Sequence, residues 1–120
     1  MKIGFIGLGN VGGKLAGSLI RNGYDVLVRD LDTSLEQDFV DSGASRGENP
    51  AQMTRACNLL ITCLPSPAIS AEVMEGKDGA LGEMCAGKIW AEMSTTDALE
   101  VSRLGQKVSA AGGEPIDCPV

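Results

Sequence analysis

Three glycines near the start of the chain have the spacing of a nucleotide-binding turn. They form a GxGxxG segment that follows an apolar run, Ile3–Ile6, and precedes a segment with helical periodicity. In such a turn the first glycine allows a tight bend, the second lets a pyrophosphate approach the backbone, and the third lets the helix pack closely on the strand. Free N–H groups at the start of the helix then bind the phosphates. The residues predicted to bind a cofactor here are Gly7, Leu8, Gly9, Asn10, Val11 and Gly12.

A carboxylate, Asp30, stands at the end of the second apolar run, 18 residues after Gly12. An acidic residue about 20 residues beyond such glycines accepts hydrogen bonds from the adenosine ribose hydroxyls and repels a 2′-phosphate. We therefore predict that Asp30 binds the ribose of NAD, which favours NAD over NADP. Asp32 is a second carboxylate that could bind the ribose instead, and Asp30 would then be a solvated loop residue. The neighbouring Arg29 could instead bind a 2′-phosphate, so NADP stays possible. The alternative for the whole pattern is a glycine turn that is structural and binds no nucleotide.

Short apolar runs alternate with helical periods along the chain, which is typical of a parallel sheet covered on both faces. The predicted strands are residues 3–6, 25–29, 44–45, 58–64, 88–93 and 114–118. The predicted helices begin near residues 11, 33, 50 and 69 and at a possible capping box, Asp97-x-x-Glu100, while 76–87 is predicted to be mostly loop. The sequence thus predicts an α/β fold, a Rossmann doubly wound, mainly parallel sheet, with residues 1–120 forming one dinucleotide-binding domain.

Composition and charge argue against several classes of function. The net charge is −6 and no basic stripe is present, so we expect no nucleic-acid partner. No apolar run approaches the roughly 20 residues that cross a bilayer, and the first residues lack a signal-peptide pattern, so we expect a cytoplasmic protein with no membrane partner. The chain has no histidine, and its four cysteines lack metal-binding spacing. We therefore expect no metal site, no Ser–His or Cys–His catalytic pair, and mostly buried, reduced thiols at Cys57, Cys63, Cys85 and Cys118.

Four ordered segments resemble the β-hydroxyacid dehydrogenase family typified by 3-hydroxyisobutyrate dehydrogenase, and because they are spread from Gly4 to Val120 the resemblance extends over the whole chain. The opening Gly4-Phe5-Ile6-Gly7-Leu8-Gly9-x-x-Gly12 resembles the N-terminal signature of that family. Val11 and Leu15 stand where the signature usually has Met, and Ser18 stands where it has Asn. The other three segments are Leu64-Pro65, Glu92-Met93-Ser94-Thr95 (similar to Asp-x-Ser-Thr) and Asp117-Cys118-Pro119-Val120, which resembles the start of a substrate-binding Asp-x-Pro-Val-Ser-Gly-Gly motif.

The resemblance implies binding roles for residues at three predicted strand ends, where ligands bind in open α/β sheets. The residues implied to contact the cofactor are Leu64, Pro65 and Thr95, and those implied to contact the substrate are Ser94, Thr95, Pro119 and Val120. The hydroxyl of Thr95 could bind the nicotinamide carboxamide or a substrate carboxylate. Alternatively, Ser94, Thr95 and Thr96 simply cap the next helix.

The resemblance also implies a reaction, the reversible oxidation of a 3-hydroxyisobutyrate-like 3-hydroxy acid to its semialdehyde with NAD as cofactor. The general acid/base that it implies is a lysine beyond residue 120, in a C-terminal helical catalytic and dimerisation domain that is absent from this chain. We therefore assign no catalytic residue here, and we expect these 120 residues to bind the dinucleotide with little or no turnover alone. The expected partners are a small hydroxy-acid substrate and, at full length, copies of the chain in a homo-oligomer. Two alternatives stay open, a nucleotide-sensing module without chemistry and a sister reductase for tartronate semialdehyde, succinic semialdehyde or an imine.

Overall fold

A six-stranded parallel sheet forms the centre of the protein in the computed structural model, which describes residues 1–94 and 97–119. The strands are β1 Lys2–Ile6, β2 Asp25–Arg29, β3 Ser45–Arg46, β4 Leu59–Thr62, β5 Ile89–Glu92 and β6 Glu114–Asp117. Their order across the sheet is β3-β2-β1-β4-β5-β6, and each neighbouring pair is parallel. This is the strand order of a Rossmann doubly wound sheet, so the predicted fold class is confirmed.

Within the described residues, five α-helices and one 3-10 helix connect the strands. The helices are α1 Asn10–Arg21, α2 Thr33–Asp41, α3 Pro50–Ala56, α4 Pro67–Glu75 and α5 Ala98–Ala110, and the 3-10 helix is Ala80–Glu83. Four of the α-helices begin after a side chain that accepts a hydrogen bond from a backbone N–H of the first turn, as short polar residues do at helix N-termini. These capping residues are Asp32, Asn49, Ser66 and Asp97. Only α1 follows a residue without a side chain, Gly9.

The two faces of the sheet are covered by different helices. Alternate residues of each strand point to opposite faces, so Phe5 and Val28 enter one core whereas Ile6 and Leu27 enter the other. The first core includes residues of α1 and α2, and the second includes residues of α3, α4 and α5. Because both faces are buried, the strands read as nearly continuous apolar runs.

Several predicted boundaries differ from the structure. β4 ends at Thr62 and β5 at Glu92, rather than at residues 64 and 93. The ladder stops because the Leu64 N–H donates to the Ser94 hydroxyl (2.6 Å) instead of to a backbone carbonyl. Helix α4 begins at Pro67 rather than at residue 69, since Ser66 caps it and a proline fits its first position. The predicted loop 76–87 contains the 3-10 helix.

No helix among residues 1–94 and 97–119 is long and apolar enough to cross a membrane.

On the outer surface, α4 and α5 are joined by ion pairs. Arg103 of α5 donates to Glu75 of α4 (2.9 Å) and to Glu100, and Lys107 also pairs with Glu75. Hydrogen bonds from Arg103 and Lys107 lower the pKa of Glu75 from 4.5 to about 2.

We expect this ion pair to make stability depend on pH in the acid range. A carboxyl whose pKa is lower in the folded state adds stability above its unfolded pKa, and that stability is lost as pH falls through the folded pKa. The contribution of Glu75 should therefore fade between about pH 4.5 and pH 2. In Arg103→Ala the pKa of Glu75, followed by carboxyl NMR, should rise towards 4.5. Arg55→Ala, which breaks the separate pair with Glu83, should leave that pKa unchanged. An equal rise in both variants would contradict the assignment.

Candidate functional site

The candidate site is a cavity of about 710 Å³ at the carboxyl edge of the sheet. It lies where β1 and β4 are neighbours, and the chain connections leave these two strands in opposite directions across the sheet. Open α/β sheets bind ligands at this switch point. The predicted residues that line the cavity are Gly7, Gly9, Asn10, Val11, Gly12, Asp30, Leu64 and Pro65.

The glycine turn lies against the end of β4. Gly7 has a φ of 104°, and a Cβ on it would lie 2.1 Å from the carbonyl oxygen of Cys63. A Cβ on Gly12 would lie 2.0 Å from the carbonyl oxygen of Gly7. These contacts require glycine at both positions, because a methyl group would displace the backbone. A Cβ on Gly9, in contrast, has no atom within 4 Å, so this glycine leaves space open towards the cavity.

The first turn of α1 faces the cavity, and no side chain caps its N–H groups. Gly9 offers no side-chain cap, and the first turn has no acidic residue. The leading N–H groups of a helix lack intrahelical partners, and the helix dipole adds partial positive charge there. Asn10 and Val11 are exposed at this end. The arrangement can therefore bind the phosphates of a dinucleotide through backbone donors.

Asp30 connects the end of β2 to the glycine turn. Its Oδ2 accepts a hydrogen bond from the Leu8 N–H (2.7 Å), and its Oδ1 accepts one from the Asp32 N–H (2.9 Å). Each carboxylate oxygen has a further lone pair, so Asp30 can still accept from a ligand hydroxyl. The side chain of Leu8 is 2% exposed and lies in the core, so this predicted residue contributes its backbone to the turn and no side chain to the cavity.

The two residues that competed with this interpretation have other contacts. Asp32 caps α2 by accepting from the backbone N–H and the hydroxyl of Ser34. These hydrogen bonds, the hydroxyl's first, lower the pKa of Asp32. Arg29 donates to the carbonyl oxygen of Glu48 (2.7 Å), which engages its guanidinium near β3. Asp30 is thus the carboxylate that both faces the cavity and contacts the glycine turn.

A buried glutamate holds the ends of β4 and β5 together. Glu92 is 0% exposed and accepts hydrogen bonds from the Ser94 N–H (2.8 Å), the Ser94 hydroxyl and the Ser70 hydroxyl (3.4 Å). The Ser94 oxygen in turn accepts from the Leu64 N–H. Ser94 is therefore 3% exposed and joins β5 to Leu64, the residue at the edge of the cavity.

The remaining predicted site residues have different positions. Pro119 is exposed at the same edge of the sheet. It follows Cys118, whose N–H donates to the carbonyl oxygen of Glu92 (2.8 Å). Thr95 and Val120, and the helix-capping alternative that involves Thr96, lie outside the described residues. Among the described residues, no group of three or more His, Cys, Asp or Glu side chains could hold a metal ion.

Sequence reasoning missed one wall of the cavity. It includes residues of α4 together with Pro50 and Leu31. The signal was present, because Pro65-Ser66-Pro67 starts a helix directly at the end of a central strand, where its first turns face the crevice. The residues of α4 in this wall are Ala68, Ile69, Glu72 and Val73.

The cysteines are free, as expected, but they differ in exposure. Cys57 is buried, Cys63 and Cys118 are partly buried and Cys85 is exposed, so the expectation of mostly buried thiols is wrong: it holds for Cys57 alone. Cys63 lines the cavity, and burial followed by the nearby charge of Glu92 raises the pKa of its thiol. Cys63 is therefore a thiol rather than a thiolate at neutral pH.

Alanine at two of the turn glycines should separate folding from binding. Gly12→Ala should lower the free energy of unfolding by about 1–3 kcal/mol, and with it the unfolding temperature, because the new methyl group clashes with the Gly7 carbonyl. Gly9→Ala should leave the unfolding temperature near that of the parent chain and weaken dinucleotide binding by about tenfold or more, because its methyl occupies the approach of the pyrophosphate. Calorimetric titration and thermal unfolding measure the two effects. A Gly9→Ala chain that bound NAD as the parent does would contradict this site.

Comparison with known proteins agrees with this geometry. Residues 2–120 match the family model described as the NAD binding domain of 6-phosphogluconate dehydrogenase. The chain is 33% identical to glyoxylate/succinic semialdehyde reductase 1 of Arabidopsis thaliana over 120 residues, all of this chain and 42% of that protein. It is 33% identical to mitochondrial 3-hydroxyisobutyrate dehydrogenase of Rattus norvegicus over 118 residues, 98% of this chain and 35% of that protein.

A third relative is named as a nuclear factor and not by an enzyme activity. The chain is 32% identical to the human cytokine-like nuclear factor N-PAC over 119 residues, 99% of this chain and 22% of that protein. Among solved structures, Psf3 in complex with NADP+ and 2-OPP superposes with a TM-score of 0.92 at 26% identity, over 98% of this chain and 42% of that one. The chain therefore spans less than half the length of these proteins. From the glycine turn to β6, it belongs to the family of NAD-binding domains of the 6-phosphogluconate dehydrogenase type.

Proposed function

We propose that the chain is the cofactor-binding part of an oxidoreductase that interconverts a 3-hydroxy acid, similar to 3-hydroxyisobutyrate, and its semialdehyde. The observation that carries the proposal is the single cavity that joins the glycine turn, Asp30 and Leu64-Pro65 at one edge of the sheet. The names of two relatives support the substrate class, since one is a reductase of succinic semialdehyde and the other a dehydrogenase of 3-hydroxyisobutyrate.

The residues of the cavity fit a dinucleotide in an extended pose. The N-terminus of α1 would hold the pyrophosphate, because its N–H groups and dipole favour anions. Asp30 would accept hydrogen bonds from the adenosine ribose, and the apolar residues of α4 would pack on the adenine. Leu64 and Pro65 would then lie beneath the nicotinamide ribose, at the opposite end of the cavity from Asp30.

NAD rather than NADP is the preferred cofactor in this proposal. A 2′-phosphate would bring negative charge towards the carboxylate of Asp30, which repels it. Arg29 also lines the cavity and keeps its charge, but its guanidinium donates to the carbonyl oxygen of Glu48 (2.7 Å), whereas Asp30 contacts the glycine turn directly. The residue that follows Asp30 is Leu31, which is 88% exposed and offers no donor to a phosphate.

The reaction divides between this chain and the rest of the protein. When bound, the nicotinamide ring supplies the hydride acceptor or donor. Residues of this chain would bind and orient it, with Glu92 and Ser94 holding Leu64 in place. The resemblance of the segments 92–95 and 117–120 to the family motifs supports contacts of Thr95, Pro119 and Val120 with the substrate. We propose that the lysine acting as general acid/base lies beyond residue 120, in a C-terminal helical domain that also forms a homo-oligomer.

Two variants of Asp30 test the cofactor assignment. Asp30→Ala removes the carboxylate, and Asp30→Asn keeps its shape and one acceptor oxygen but removes its charge. We expect NAD to bind the parent chain more tightly than NADP, and we expect both variants to lower that preference by about tenfold, or about 1.4 kcal/mol. Calorimetric titration with each nucleotide measures the preference.

Asp25→Ala is the matched control for these variants. It removes the same charge from the opposite end of β2, where Asp25 pairs with Lys2 (3.8 Å). The cofactor preference should be unchanged in this control. If the parent chain binds neither nucleotide, the proposed function fails for these 120 residues. If it binds NAD and the Asp30 variants keep the preference, only the role of Asp30 is wrong.

Thiol modification locates the bound nucleotide independently. Cys63 lines the cavity and has a raised pKa, whereas Cys85 is exposed. We expect iodoacetamide to alkylate Cys85 faster, and Cys63 to react faster as pH rises, because the thiolate is the nucleophile. Saturating NAD should slow alkylation of Cys63 and leave Cys85 unaffected, as measured by peptide mass spectrometry. Equal rates at Cys63 with and without NAD would place the nucleotide elsewhere.

A further inference from the structure

The carboxylate of Glu36 is buried beside the candidate site although it belongs to a surface helix. Glu36 lies in the first turn of α2 and is 3% exposed. Burial of a carboxylate is costly unless hydrogen bonds or an opposite charge compensate it. Its contacts therefore indicate why an acid occupies this position.

One oxygen of Glu36 replaces the missing continuation of the sheet. β3 pairs with β2 only at Leu27 and Val28, and the Gly47 N–H still donates to the carbonyl oxygen of Val28 (2.9 Å). Two residues after Val28, just past the end of β2, the Asp30 N–H donates to Glu36 Oε2 (3.0 Å). The side chain of Glu36 thus fixes the backbone of Asp30 where β3 no longer does.

The other oxygen of Glu36 is paired with a cation. Arg46 of β3 places its Nε 3.2 Å from Glu36 Oε1, and it also donates to Gln37 (3.0 Å). Arg46 is 44% exposed in its side chain, so water screens this pair and the pair alone contributes little. The contact to the Asp30 N–H is the part that reaches the site.

We propose that Glu36 is a positioning residue that determines cofactor specificity through Asp30. This inference rests on the proposed role of Asp30 in binding the adenosine ribose. The carboxylate of Asp30 is held by Leu8 and Asp32, and Glu36 holds the backbone from which that carboxylate projects. With all three contacts in place, the remaining lone pairs of Asp30 have a fixed direction towards the cavity. Without Glu36, the Asp30 N–H loses its acceptor and the end of β2 is free to shift.

Three variants separate this role from general stability. Glu36→Leu fills the buried position with an apolar side chain of similar size, which offers no acceptor for the Asp30 N–H. Glu36→Gln keeps an acceptor oxygen and removes the charge. Arg46→Met keeps the stem of the arginine and removes the ion pair with Glu36 together with the hydrogen bond to Gln37, while the contact between Glu36 and the Asp30 N–H is kept.

The first measurement is amide hydrogen exchange at Asp30 in the nucleotide-free chain. We expect exchange at Asp30 to be about tenfold faster or more in Glu36→Leu, and to be near the parent rate in Glu36→Gln and Arg46→Met. The amides of β1 should keep their protection in all three variants. Parent-like exchange at Asp30 in Glu36→Leu would overturn the proposed contact.

The second measurement is the ratio of the dissociation constants for NADP and NAD by calorimetric titration. Glu36→Leu should lower this ratio by about fivefold or more, mainly through weaker NAD binding, whereas Glu36→Gln and Arg46→Met should stay within about twofold of the parent. An equal loss of affinity for both nucleotides in Glu36→Leu, or a parent-like ratio, would overturn the specificity role. Absence of NAD binding by the parent chain would instead refute the proposed function, while the exchange measurement would still test the contact.

Discussion

The close contact between the glycine turn and the end of β4 is the constraint on which the site depends. The carbonyl oxygen of Cys63 occupies the space that a side chain on Gly7 would need, and the carbonyl oxygen of Gly7 does the same for Gly12. The start of α1 can therefore lie directly above the carboxyl ends of β1 and β4. A side chain on either glycine would push the turn away from the end of β4 and would move the N–H groups of α1.

Three acidic side chains complete the hydrogen bonding at the strand ends around this turn. Asp30 accepts from Leu8, Glu36 accepts from Asp30, and Glu92 accepts from Ser94. Each of them satisfies a backbone N–H where a strand leaves its ladder, which an uncharged apolar residue could not do. In the proposed function, the N-terminus of α1 would hold the phosphates, because its dipole favours anions, and Asp30 would accept from the neutral ribose hydroxyls.

Local patterns predicted most of the fold because its strands are buried on both faces and its helices carry strong capping residues. The apolar run before Gly7 and the Asn49-Pro50 pair are typical signals, and the structure has β1 and α3 at these places. The choice between Asp30 and Asp32 needed the structure, although the Asp32-x-Ser34 spacing is typical of a side chain that caps a helix. The roles of Glu36 and Glu92 could not be predicted from spacing, since their partners are brought to them by the turn after β2 and by the pairing of β4 with β5.

The hydrogen bonds of Ser94 limit which chemistry this chain can supply. Its hydroxyl proton goes to Glu92 and its oxygen accepts from Leu64, so the serine has no proton to give to a substrate. The cavity contains a thiol with a raised pKa at Cys63, and the chain has no histidine. A hydroxy acid that loses hydride must also lose a proton to a group whose pKa lies near the working pH. In the proposed function, a base beyond residue 120 would move this proton, and the contacts around Ser94 and Cys63 support that proposal. Such a division of roles would also account for a site whose polar groups are mostly used to hold backbone in place.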